Sequence, residues 1–231
     1  MNNTLAICQP HFIPWIGYFY LIKKSSKIIF LDNVQYNRRS WQNRAHIKAS
    51  HNIDDKKYLS LHVKDNSRNK MINEIFIRNE NQNLFLNNIK NSYRKSPHFE
   101  KYYEILKKIF EKNKKKNLAS FNIVFIKEIC KFLKIDFSYD LTSNYFFKNK
   151  KENLILEILK HFKADIYLSN EGSKKYVDDE FFIQNNIKII YNTFEHPIYR
   201  QNNNNQKTFI KNLSIIDLLM NEENPQKYFK I

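Results

Sequence analysis

Glycine is almost missing from this chain: 231 residues carry only Gly17 and Gly172. With so few, no G-x-G-x-x-G dinucleotide fingerprint, no P-loop and no G-x-S-x-G elbow can be written, which disfavours a dinucleotide dehydrogenase and a standard serine hydrolase. Cysteine is equally scarce. Cys8 and Cys130 stand in a strand-like and a helix-like run, without a C-x-x-C pair. Two half-buried thiols and no disulfide framework fit a reducing compartment, so the cytoplasm is the expected location. No apolar run approaches the ~18 residues of a membrane span. The start, Met1 to Ile7, has neither a basic n-region nor a long apolar h-region, so no signal peptide is expected. His46, His51 and His62 scatter through a hairpin without an HxxxH or HExxH spacing, and no metal site is expected.

Acidic residues are outnumbered, 23 against 39 basic ones, for a formal charge of +16. Such a balance invites a nucleic-acid or membrane-surface reading. Composition offers a plainer one. There are 32 Lys but 7 Arg, and 32 Asn but 5 Ala. An AT-rich genome swells the first member of each pair and starves the second, so much of the charge reads as drift at exposed positions. Where that bias expels Gly, Trp, Pro and Arg, the ones that remain are held by need. Gly17, Trp15, Trp41, Arg38, Arg39 and Arg44 all fall within the first 48 residues. A site is therefore expected there.

Leu5 to Cys8 reads as a buried strand stopped by Gln9-Pro10, and Pro10 and Pro14 bracket a rigid loop. Trp15 to Lys24 has helical spacing and Lys27 to Leu31 is a second strand, consistent with two parallel strands joined by a crossover helix. Arg44–Ala49 and Lys57–Val63 alternate as an antiparallel hairpin, and Ile72–Ile77 reads as a further strand. Helical periods follow over about Asn83–Tyr93, Pro97–Lys112 and Leu118–Leu133, with Ser96 as an N-cap before Pro97. Strands return at Phe137–Leu141, Ile166–Leu168 and Ile187–Tyr191, with helices at Glu152–Phe162 and Leu213–Met220. The Asn202–Asn205 tract reads as a mobile loop. The expected architecture is a single α/β domain over 1–231. Its mainly parallel sheet begins with a strand–loop–helix–strand unit and carries an antiparallel hairpin. A helical insertion or cap covers about 83–134.

Four segments could carry chemistry. Gln9 to Phe19 passes from a strand end into a helix N-terminus, where open α/β sheets place ligands and where free N–H groups favour anions. Gly17 permits close approach by a ligand or another backbone; its plainer role is tight packing of the helix. Asp32 follows the second strand, and Gln35 to Arg44 is dense in donors around Trp41, suited to a flat ring plus a phosphate. The plainer reading there is a solvated basic loop pegged by Trp41. Ser169 to Tyr176, around Gly172, can hold an anion or simply form a capped turn. Around His196 and Gln201, and at Ser214 and Asp217, structural roles compete, the last two as N-cap and first-turn acid.

Together these residues resemble the WbqC-like protein family. The resemblance rests on Gln9-Pro10, Pro14-Trp15-x-Gly17-Tyr18-Phe19, Asp32-x-Val34-Gln35 and Arg39-x-Trp41-x-Asn43-Arg44-x-x-Ile47-Lys48. It continues through Tyr167-Leu168-Ser169, Gly172, Tyr176, His196-Pro197-x-Tyr199-x-Gln201 and Asn212 to Asp217, and so spans nearly the whole chain. The family is bacterial and its genes sit in O-antigen and related surface-glycan clusters. The resemblance implies an enzyme of nucleotide-sugar or glycan modification without supplying a reaction; the leading expectation is a transferase modifying an amino sugar or nucleotide-linked sugar, using an activated acyl group, with no cofactor named. Gln9, Tyr18, Gln35, Trp41 and Asn43 would read the sugar. Arg39, Arg44 and Lys48 would hold phosphate, with Asp32 or His11 as base. Trp15, Gly17, Ser169, Gly172, Tyr176, His196 and Gln201 complete the expected binding set. Lys175 stands where relatives carry an acid, which puts an essential carboxylate there in doubt. The variable position of Cys8 argues against a cysteine nucleophile. Three alternatives stand beside this: an ATP-dependent ligase, a nucleic-acid-binding protein and a noncatalytic assembly factor. Lysine is spread rather than striped and no RRM, KH or helix-turn-helix signature appears, so nucleic acid is the disfavoured partner.

Overall fold

The computed structural model describes residues 3–50, 53–64, 69–78, 80–175, 177–201 and 209–230, with 53 and 54 described by backbone alone. Among them the order is β1 (Thr4–Cys8), α1 (Ile16–Lys24), β2 (Lys27–Phe30), then a hairpin of β3 (Arg44–Ser50) and β4 (Ile53–Ser60). Three helices follow, α2 (Asn81–Tyr93), α3 (Phe99–Asn113) and α4 (Leu118–Leu133). The chain then returns to the sheet with β5 (Ser138–Leu141), α5 (Lys151–His161), β6 (Ile166–Asn170), α6 (Asp179–Gln184), β7 (Lys188–Asn192) and α7 (Ile215–Asn221).

Five strands form one sheet in the order β5-β2-β1-β6-β7, and every pairing is parallel. A parallel sheet buried on both faces needs strands that are apolar throughout, which is how TLAIC and KIIF read. The two-residue period sorts them: Ala6, Cys8, Ile28 and Phe30 pack beneath α1 and the helical cap, while Leu5, Ile7 and Ile29 pack on α5 and α6. The hairpin β3–β4 is antiparallel, with a bulge between Lys48 and Ser50, and its Ala45, Ile47 and Leu59 join the core of the capped face. Phe12, from the loop after β1, inserts among Phe85, Phe121 and Phe125 of α2 and α4. Burying that ring contributes roughly 1.5–3 kcal/mol and fastens the loop to the cap.

Two local expectations change. Ile72–Ile77 is not a strand but a 3-10 turn at Ile72–Glu74 followed by single bridges, Val63 to Ile77 and Phe76 to Asn117. The Glu74 carboxylate accepts the Met71 N–H at 2.7 Å and closes that turn. Helix α3 begins at Phe99, not at Pro97 after a Ser96 cap, because the His98 N–H is drawn to the Met220 carbonyl of α7 at 3.1 Å. The Asn202–Asn205 tract lies outside the described residues.

Helix α7 is buried along its length, and Asp217 at its heart is 0% exposed. Asp217 Oδ2 accepts from the Tyr199 hydroxyl at 2.7 Å and from Gln201 Nε2 at 2.8 Å. Burial raises the Asp217 carboxyl above the usual range, and these bonds, with the nearby charge of Lys48, oppose that. Lys48 is itself 2% exposed, so β3 and α7 share a buried charge pair.

Gly17 has a reason of its own. A Cβ built there would stand 2.3 Å from the six-membered ring of Trp15, whose indole lies back over α1 against Phe194. Overpacking of this kind costs about 1–3 kcal/mol. Gly17→Ala is therefore expected to lower stability by that amount in urea unfolding, and to cost much less in a Trp15→Ala background, since the two changes share one contact. Equal costs in both backgrounds would refute the collision.

Candidate functional site

Numbering only the five parallel strands in chain order, the sheet reads 3-2-1-4-5. The chain leaves β1 toward α1 on the capped face and leaves β6 toward α6 on the other. The connections diverge at this switch point, and open α/β sheets bind ligands in the crevice outside the carboxyl ends of such a strand pair. An open cavity of about 370 Å³ lies there, walled by the loop after β1, the loop after β6, the hairpin and the approach to α7.

The loop after β1 contributes His11, Phe12, Pro14 and Trp15 to the wall. Its shape is imposed from outside. Buried Asn122 of α4 donates to the carbonyls of Pro10 at 2.9 Å and Gln42 at 2.8 Å, clamping two loops with one amide. The Phe12 N–H donates to the Trp41 carbonyl at 2.8 Å, and the Ile13 carbonyl accepts from Ser214 Oγ at 2.8 Å. Ile13 holds a φ of 33°, a costly conformation for a β-branched residue, where these bonds over-determine it. Below the loop, the Tyr18 hydroxyl donates to the Gln9 carbonyl at 2.8 Å and accepts from Cys8 Sγ at 3.0 Å. Burial pushes the Cys8 thiol up to about 12, so it is no nucleophile. Gln9 Oε1 accepts from buried Gln42 Nε2 at 2.9 Å, which leaves the amide of Gln9 to the loop scaffold. Half-buried His11 lies against Tyr18, and burial pulls its imidazole down to about 4, so it is neutral at pH 7.

The hairpin wall is aromatic and cationic. The Arg44 guanidinium sits 4.0 Å over the Tyr58 ring, and the His46 ring lies 4.3 Å from Tyr58 and 5.1 Å from Trp41. Trp41 is 44% exposed. Arg44 Nε is buried with no hydrogen-bond partner among the described residues. Burial, then Lys56 and Arg44, lower the His46 imidazole. No carboxylate is among the residues that wall the cavity. From β6 come Asn170 and Gly172, and Ser173 Oγ fixes their turn by donating to the Asn170 carbonyl at 2.6 Å. Asn212 and Ser214 close the wall. Ser214 caps α7, and its N–H donates to the His46 carbonyl at 2.7 Å.

The structure thus brings His11, Trp15, Trp41, Arg44 and Gly172 to one cavity and sets other expected residues elsewhere. Asp32, 4% exposed, accepts from the Ser143 N–H at 2.9 Å, Ser143 Oγ at 2.6 Å and Thr142 Oγ1 at 3.2 Å. It fastens the end of β2 to the turn after β5 and does not wall the cavity. Lys48 is packed inside beside Asp217, so it is not a cavity cation. Arg39 is an exposed turn residue at φ 57° and Gln35 is exposed in a bridge to Met71; neither walls the cavity. Asn43 Nδ2 donates to the Leu61 carbonyl at 3.0 Å, and Ser169 Oγ lies 2.7 Å from Ser173 Oγ. His196 Nδ1 lies 2.9 Å from the Pro197 carbonyl among aromatic rings, and Gln201 braces Ile210 and Asp217. Tyr176 lies outside the described residues. Sequence reasoning missed His46 and Lys56 in the wall and Asn122 behind it; Asn170 and Asn212, also in the wall, stood inside candidate segments without an assigned role. The two-residue step from Arg44 to His46 on a strand was a usable signal; one asparagine in a helix was not.

The profile of the WbqC-like protein family matches residues 9–228. The chain is also similar to uncharacterized protein Rv1507c of Mycobacterium tuberculosis, 27% identical over 221 residues, 95% of this chain and 94% of that protein. No solved structure matches it.

The depressed His11 gives a pH prediction with a definite sign. The unfolded chain takes up this proton near the ordinary 6.5 and the folded one near 4, so stability tied to His11 is full above 6.5 and is lost as pH falls toward 4. A proton NMR titration should place the His11 imidazole midpoint far below 6.5, and His11→Gln should flatten the acid side of the stability profile. A midpoint at 6.5 would show that the ring is not held in an apolar setting.

Proposed function

The chain belongs to the WbqC-like protein family, and from that membership and its switch-point cavity we propose an enzyme of bacterial surface-polysaccharide biosynthesis, a transferase that modifies an amino sugar or nucleotide-linked sugar. The observation that carries this reading is the make-up of one cavity: two tryptophans, two asparagine amides, a neutral imidazole, and cations, with no carboxylate among the lining residues. Indole faces stack on sugar rings or bases, amides read hydroxyl groups, and a guanidinium pairs with phosphate oxygens.

In this reading His11 is the base. A neutral imidazole in the wall can take the proton from the sugar amine or hydroxyl as its nitrogen or oxygen bonds to the carbonyl carbon of an activated acyl donor. The bond to the donor's leaving group then breaks, and the leaving group departs with the electron pair. Asp32 is assigned a scaffold role, since its oxygens are occupied by Thr142 and Ser143.

A thermal-shift screen at fixed salt, against nucleotide sugars, ATP, acyl-CoAs and a short oligonucleotide, tests the proposal. A ligand at ~100 times its dissociation constant adds ~2.7 kcal/mol and moves the midpoint by several degrees. A shift with a nucleotide sugar, lost in Trp41→Ala, is expected. His11→Gln should keep that shift while turnover falls by about 10²–10⁴. A shift with the oligonucleotide alone, resistant to added salt, would sink the transferase reading.

A further inference from the structure

The cavity is polar in the sense of having two unlike ends. Its formal cations, Arg44 and Lys56, both come from the hairpin, whereas β6 and its loop contribute the uncharged Asn170 and Gly172. Arg44 is held in place by Tyr58, in a cavity wall that holds no carboxylate. A guanidinium fixed in advance with no acid in the same wall is arranged for an anion that arrives from outside. His46, between the two cations, is kept uncharged by burial and by their field, so it can add a hydrogen bond there without adding charge.

Gly172 is the other half of the argument. Gly17, the only other glycine, is required by Trp15. Among the described residues Gly172 has no such requirement: its φ is not positive, and a Cβ placed on it would meet none of them within 4 Å. Neither turn geometry nor packing asks for glycine in the exposed 3-10 turn Glu171–Lys175, where it weakens the turn. What remains is its position in the cavity wall, where a missing side chain leaves room for a group that is not part of the protein.

We infer that the cavity receives a nucleoside diphosphate-linked sugar in one direction, the diphosphate against Arg44 and Lys56 and the sugar over Gly172, which thereby limits the bulk of the sugar substituent. This rests on the function proposed above and adds the substrate's orientation and a specificity-determining residue. Phosphate oxygens meet the Arg44 guanidinium, and Lys56 balances the second charge. The sugar then lies on the neutral side, and its substituents pass where a Cβ would project.

Isothermal titration at fixed salt separates the two ends. The ligands are UDP-N-acetylglucosamine, GDP-mannose and dTDP-glucose, each paired with its free nucleoside diphosphate. The proteins are the wild type, Arg44→Ala, Gly172→Ala and Gly172→Leu, with thermal midpoints recorded for each. For whichever pair the wild type binds, Arg44→Ala should weaken the nucleotide sugar and the free diphosphate alike, by about tenfold or more, the worth of a hydrogen bond to a charged group. Gly172→Leu should weaken the nucleotide sugar and spare the diphosphate, with Gly172→Ala between, while the midpoints of both Gly172 variants stay level or rise. Equal affinity of the wild type and Gly172→Leu for the sugar-bearing ligand overturns the inference. So does an Arg44→Ala variant that stays folded and binds the diphosphate undiminished. In either case the proposed function survives, because binding itself persists. If the wild type binds none of these ligands, the proposed function falls, and the inference with it.

Discussion

A loop that is buried must have its backbone polar groups answered, and that constraint organises this molecule. The stretch from Cys8 to Trp15 lies largely inside, with Phe12 and Ile13 almost wholly removed from solvent. An unpaired carbonyl in such a place costs about as much as a lost hydrogen bond. Donors therefore converge on it from four directions: Tyr18 of α1 to Gln9, Asn122 of the cap to Pro10, Ser214 to Ile13, and the Ile215 N–H to Pro14. The helical insertion and the last helix can each be understood as the supplier of a donor to this one loop. The cavity is the space left where those elements meet the hairpin.

The same economy governs charge. Buried carboxylates here are tied to structure: Asp32 by the turn after β5, Asp217 by Tyr199, Gln201 and the neighbouring Lys48. The cavity receives the opposite treatment. Its wall holds cations and no carboxylate, burial lowers its imidazoles, and two tryptophans line it. Because no carboxylate walls the cavity, an anionic ligand meets no acidic side chain in its lining.

Sequence reading recovered what local patterns encode. Apolar runs bounded by Pro10, Ser25-Ser26 and Asp32 located β1, α1 and β2, and the Leu118–Leu133 helix was bounded correctly by Asn117 and the left-handed Lys134. The order of strands across the sheet was not readable, because β5, β6 and β7 choose neighbours by tertiary packing alone. Among candidate site residues, the rare letters Trp15, Trp41, Arg44 and Gly172 do stand in the cavity wall, since a composition hostile to them preserves them only under constraint. Asp32 and Lys48 do not, for one reason: a sequence cannot separate a carboxylate that braces a turn from a base, nor tell which residues of an alternating strand a helix will cover. Lys56 and Asn212 were hidden by abundance, two among many lysines and asparagines.

The bond from Ser214 to the Ile13 carbonyl joins residues 201 positions apart. During synthesis the loop after β1 is made 201 residues before the serine that braces it. At roughly 5–20 residues per second, about 10–40 s separate the two. For that interval the emerging chain carries both tryptophans and Arg44 yet lacks the helix that shapes the loop beside them. The cavity is therefore complete only once Asn212 and Ser214, which close its wall, have been made.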